Sequence, residues 1–189
     1  MALDATRTLR GAAAGALAAG VWAAQQPLDM RLFGVPYDDP QLLGSAVTRE
    51  RGTARTAVVG AALHVANGAL FGAVYAAVRP KLPKAPPAAR GFAAGMAEHL
   101  ATWPSTRFVG ALHPVGDTFP QLWGDHRAFG QAVWRHALFG VVLGVAEARL
   151  NPDPEPVRPH PDPGGAQSNG HAPVEAVTKA AAKSASAVP

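Results

Sequence analysis

The chain has 189 residues, only 16% of them charged against 48% hydrophobic, with a net charge of +4 and no cysteine. That length holds one domain and a tail, and the missing cysteines exclude disulfides, thiolate metal sites and thiol nucleophiles. The basic residues gather at the ends of apolar stretches and form no aromatic-interleaved stripe, which argues against nucleic acid and for a lipid bilayer.

In chain order, the first apolar stretch runs uncharged from Gly11 to Leu28 and the second from Thr56 to Val78. The third, Gly91 to Thr106, carries only Glu98, and the fourth, Ala128 to Ala146, only Arg135. None has the polar stripe that a helix on the surface of a soluble protein needs. Each extends to the roughly 20 residues that cross a hydrocarbon core of about 30 Å. The expected fold is all-α, with four transmembrane helices over residues 1–152. The alternatives are a soluble Ala-rich bundle and, for the first segment alone, a signal peptide; Trp22 before Ala24 makes a poor cleavage site for the latter.

The chain repeats itself. Arg10-Gly11-x-Ala-Ala-Gly15 returns as Arg90-Gly91-x-Ala-Ala-Gly95, and Pro40-Gln41-Leu42-x-Gly44 as Pro120-Gln121-Leu122-x-Gly124. His64-xxx-Gly68-xxx-Gly72 returns as His136-xxx-Gly140-xxx-Gly144, and the copies end on Pro80 and Pro152. Two tandem helical hairpins follow, residues 1–80 and 81–152, of like orientation and related by a pseudo-twofold axis along the membrane normal. Between the helices of each hairpin, Asp39-Pro40 reads as an N-cap followed by a first-turn proline, so a short interfacial helix or an ordered loop is expected there, with a counterpart at Pro120 carrying Trp123. From residue 153 the Pro-, Ala- and Ser-rich text, with His160 and His171 far apart, is expected to be a disordered cytoplasmic tail.

The short link Arg79 to Arg90 holds four basic residues and no acid, which places it, and with it both termini, on the cytoplasmic side. The pairs Gly11/Gly15, Gly68/Gly72, Gly91/Gly95 and Gly140/Gly144 are spaced for close helix approach in lipid.

His64, Asn67, Glu98, His99, Arg135 and His136 form the candidate polar cluster, since ionisable groups in mid-span face the bundle interior and take partners. The first repeat has Ala18-Ala19 where the second has Glu98-His99, and Leu63 where it has Arg135; loss of both together suggests a Glu98–Arg135 ion pair. Three uses of the cluster stand open: interhelical hydrogen bonding in a non-enzymatic structural or stress-related protein, a proton or small-solute pathway in a monomer or homo-oligomer, and haem held between His64 and His136. No zinc, phosphate-loop or nucleophile-elbow motif is present, so no catalytic residue and no metal ligand is nominated, and haem is the one cofactor considered.

The opening Arg10-Gly11-Ala-Ala-Ala-Gly15, Trp22, Pro27 and the His64-xxx-Gly68-xxx-Gly72 helix resemble the small polytopic inner-membrane proteins related to YagU and similar actinobacterial membrane proteins. The resemblance implies an inner-membrane location and carries over no catalytic residue.

Overall fold

The computed structural model describes residues 4–153. The tail expected from residue 153 onward therefore lies outside the described residues, save for Asp153 itself. The chain is all-α, with no strand among the described residues.

Asp4 opens the first helix by accepting a hydrogen bond from the Arg7 amide at 3.0 Å, which satisfies one of the free donors of a first helical turn. This helix, α1, spans Ala5–Phe33 and ends where Gly34 takes φ 68°, a left-handed conformation that glycine adopts without a Cβ clash. It runs past Leu28, through Pro27, which faces outward, and carries Asp29 on its inward stripe. Asp29 is thus a helix residue and not part of the first connection.

The next helix, α2, covers Asp39–Thr48. Its N-cap is Asp38, whose side chain accepts from the Gln41 amide at 2.8 Å; the sequence reading had put the cap one residue later. Asp39 is left free for other partners. The long helix α3, Ala54–Val78, is capped by Thr53 and followed by a 3-10 turn, Arg79–Lys81. A prolyl start opens α4, Pro87–Thr102, which continues into 3-10 turns through Phe108 and a four-residue helical turn, Val109–Leu112. Around Pro120 the second repeat has extended and turn conformations and no counterpart of α2. Asp125 caps the last helix, α5, His126–Leu150.

Each repeat packs as a hairpin, α1 on α3 and α4 on α5, and α1 packs on α5 to join them. A twofold relation between repeats would demand an equal α3–α4 contact, which is lacking; an open cleft stands there instead, and α2 lies against α3. At the hairpin crossings, a Cβ added to Gly11 would come within 2.5 Å of the Gly72 carbonyl oxygen, and one on Gly95 within 2.5 Å of that of His136. Gly15 meets Gly68 in the same way, and Gly91 meets Gly140 and Gly144. The four glycine pairs therefore sit where the two backbones of each hairpin touch, in the mode that membrane helices use.

Beside a small apolar core of Trp22, Tyr75, Phe139 and Leu143, the bundle buries ionised groups and exposes large apolar ones. Its fully buried side chains include Arg135, Glu147 and Gln131, all at 0% exposure. The outward surface carries Leu9, Leu17, Val58, Leu70, Val74, Phe92 and Leu100. Arg and Glu are almost never buried outright unless paired, and here each has its counter-ion. Of the four expected spans, only two among the described residues, α3 with its 3-10 extension and α5, are long and apolar enough to cross a membrane.

Candidate functional site

Two buried ionic clusters tie the helices at opposite ends of the bundle. At one end, Arg135 of α5 grips Asp29 of α1 with two hydrogen bonds, Nε to Oδ2 at 2.8 Å and Nη2 to Oδ1 at 2.5 Å. Gln131 donates to the same carboxylate at 2.8 Å and to the Val35 carbonyl at 3.1 Å, and Arg135 donates to the Tyr37 carbonyl at 3.0 Å. Such forked, charge-assisted bonding is what makes a fully buried pair tolerable. At the other end, Glu147 accepts from Arg79 at 2.7 Å and from Asn151 at 3.1 Å, with Arg7 at 3.6 Å. Arg79 also donates to the Asn151 carbonyl at 3.0 Å and pairs with Asp153.

The expected Glu98–Arg135 pair does not form. Arg135 is satisfied by Asp29, and Glu98 instead meets His136 Nε2 at 2.7 Å. The physical reason is register: Asp29 lies on the inward stripe of α1 directly across from Arg135, whereas Glu98 lies beside the cleft and stays partly exposed.

Beside the Asp29–Arg135 cluster lies a cavity of about 290 Å3, bordered by all four long helices, by α2 and by the turns after α4. All six residues of the candidate cluster, His64, Asn67, Glu98, His99, Arg135 and His136, line it. Trp22 forms part of its wall. Its ring meets His64 edge-on at 5.3 Å between centroids and His136 at 4.8 Å, while His99 stacks obliquely on His136 at 4.7 Å.

Each repeat's histidine has a carboxylate. His64 Nδ1 is 2.9 Å from Asp39 Oδ2, with Nε2 at 3.2 Å from the Ala19 carbonyl. His136 has Nε2 on Glu98 and Nδ1 2.7 Å from the Ala132 carbonyl. A neutral imidazole has one donor for the two acceptors it meets in each pair, whereas an imidazolium would donate to both.

Outside the four long helices, Asp39 also accepts from the Tyr37 hydroxyl at 2.8 Å. Burial raises the Asp39 carboxyl, but the hydrogen bonds from His64 and Tyr37 outweigh it and hold the group below the usual carboxylate range. Burial, reinforced by Asp39, pushes the Tyr37 phenol well up.

Haem does not fit this arrangement. Both nitrogens of His64 and of His136 are engaged, and the Trp22 ring occupies the space between the imidazoles that a porphyrin would need. Among the described residues no group of three or more His, Asp or Glu side chains is set to hold a metal.

Asp29, Asp39, Arg79 and Glu147 were not singled out from the sequence as buried partners. Register held the signal for one of them: Glu147 follows Gly140 and Gly144 on the same helical stripe of α5, with Asn151 one turn further. For Asp39 the signal was the capping by Asp38, which frees the second carboxylate.

No protein-family model, curated protein or solved structure matches the chain.

Proposed function

We propose that this is an integral inner-membrane protein of four spans, α1, α3, α4 with its 3-10 extension, and α5, non-enzymatic, with both termini cytoplasmic. Its mid-span cavity serves as a proton or small-solute pathway. The observation that carries this reading is the pairing of an interior cavity lined by Arg135, Glu98 and three imidazoles with large apolar side chains exposed on the outer faces of the helices. Intramembrane ionisable residues beside a cavity mark ion and substrate routes in membrane proteins. The basic link Arg79 to Arg90 supports the orientation, and the resemblance to YagU-related proteins implies the same membrane.

Two imidazole–carboxylate pairs flanking Trp22 give a proton two adjacent resting places. A proton taken by either pair converts its imidazole to a cation held by the carboxylate already bonded to it.

A purely structural role is the second reading. The ionic clusters at both ends favour it, since they join α1 to α5 and the α3–α4 link to the C-terminal end of α5.

The test is reconstitution of the full chain into liposomes loaded with a pH-sensitive dye. A pathway gives proton flux under an imposed gradient that is at least severalfold slower in Glu98→Gln and Asp39→Asn proteins. Absence of flux from the unaltered protein removes proton conduction.

A further inference from the structure

The two carboxylates that line the cavity differ in what they have left to offer. Asp39 is closed: its Oδ1 accepts from the Tyr37 hydroxyl and its Oδ2 faces His64. Glu98 is open. Its Oε2 faces His136 Nε2 at 2.7 Å, no group among the described residues meets its Oε1, and the side chain is 29% exposed. It lines the cavity together with Thr102, one turn further along α4.

Charge selects the occupant. Asp29 of α1 neutralises Arg135 of α5. Asp39 and Glu98 are left facing imidazoles: their partners His64 on α3 and His136 on α5, and His99 of α4, which stacks on His136. Tyr37, beside Asp39, adds no positive charge, and the turns after α4 bring only Trp103, Ser105, Thr106 and Val109, none of them ionisable. In a medium of low dielectric a carboxylate needs a positive charge beside it, and His136 supplies one to Glu98 only while protonated. An anion would meet two carboxylates, and a neutral solute would leave Glu98 dependent on that proton. A cation can replace the proton.

Size and wall give the kind of cation. About 290 Å3 lies near the lower limit of small-molecule sites, and among the described residues no three His, Asp or Glu side chains gather to hold a metal ion. Phe71 and Phe139, edge to face at 5.6 Å, and Trp103 supply aromatic wall, which suits the flank of an organic cation.

We propose that the cavity binds a small ammonium compound with an apolar flank at Glu98, and that its arrival releases the proton held by His136. The ammonium donates to Glu98 Oε1, and its flank lies along the aromatic wall. Neutral His136 keeps one of its two hydrogen bonds, from Nδ1–H to the Ala132 carbonyl. The proton passes to bulk water, so one positive charge replaces another and the charge inside the bundle is unchanged. This rests on the solute branch of the proposed pathway, names its solute and couples it to the proton.

Calorimetry on the full chain in phosphatidylcholine nanodiscs, with three probes of like size and unlike charge, tests it: benzylamine, benzamide and benzoate. Benzylamine is expected to bind saturably, one per chain, and roughly tenfold or more tightly than either of the others. Its affinity should rise about tenfold per pH unit while His136 carries its proton and level off beyond, over a range of about pH 5 to 8. Nitrogen-15 spectra should show His136 pass from imidazolium to neutral imidazole as benzylamine is added. Glu98→Gln should weaken binding roughly tenfold or more and remove the pH slope. Should that variant not fold, Asn67→Phe, which fills the cavity from an exposed position, should abolish binding.

Tighter binding of benzamide or benzoate overturns the ammonium class and leaves a solute site standing. Affinity for benzylamine that is level across the pH range, with the His136 signal unmoved, overturns the exchange. Benzylamine binding that neither variant alters places the probe in lipid and overturns the inference. No binding of any probe to a protein with helical circular dichroism overturns it as well, and proton flux in liposomes, measured separately, then decides whether the proton branch of the pathway stands.

Discussion

The two hairpins solve one problem by different wiring. Both cross on paired glycines, and both present a histidine to Trp22, yet His64 takes its carboxylate from Asp39 and His136 takes its own from Glu98. In the first repeat the position of Glu98 is Ala18, and in the second the position of Asp39 is Phe119. Each repeat thus has one carboxylate for its imidazole and lacks the other's. What the two repeats share is the helix crossing, where backbone contact tolerates no Cβ; their connections differ, being α2 in one and an open turn in the other. The partner of the histidine followed the connection.

The heaviest blow to this comparison falls outside the duplicated features, at the pair that joins the hairpins. Asp29→Ala leaves Arg135 buried without its counter-ion and should cost about 3–5 kcal/mol, read as a lowered midpoint of thermal unfolding in detergent. Because the pair links α1 to α5, the two hairpins should then separate before either unfolds.

Next come the crossings themselves. Gly15→Val and its repeat counterpart Gly95→Val place a side chain against a facing backbone, and overpacking of that kind costs about 1–3 kcal/mol or more. Equal losses of stability in the two variants would uphold the equivalence of the hairpins; tolerance of one would confine close packing to the other.

The smallest effects belong to the carboxylates. Asp39→Asn and Glu98→Gln keep a hydrogen-bonding shape and remove a charge, so each should cost about 1 kcal/mol, and the two should match. Nitrogen-15 spectra of the imidazoles sharpen the point: each variant should alter the signal of its own histidine, His64 or His136, and leave the other in place.

Much of this architecture was legible in the residues. An uncharged run such as Thr56–Val78 has no polar face, so α3 could be read directly, and glycines four apart marked a crossing that backbone contact then occupies. Asp29 was harder, because a proline precedes it by two residues and a charge follows an apolar run, both of which read as an exit from the helix. The partner of Arg135 was misread for a related reason. Absence of Glu98 and Arg135 from the other repeat made them look coupled, whereas each is coupled to a different group that pattern alone does not bring near. The lack of an α3–α4 contact, which opens the cavity, depends on how the two hairpins dock, and no local spacing encodes that.

In the proposed membrane bundle the outer faces of the helices lie in lipid while the cavity is wet. The natural chain has no cysteine, so single cysteines at Asn67, which lines the cavity, and at Val65, two residues away and on the opposite face of α3, report the two environments separately. The measurement is labelling of Asn67→Cys and Val65→Cys proteins in intact membranes with a small water-soluble maleimide. Reaction at position 67 with little or none at position 65 is the predicted result. Equal and rapid reaction at both would place α3 in water and contradict the membrane bundle.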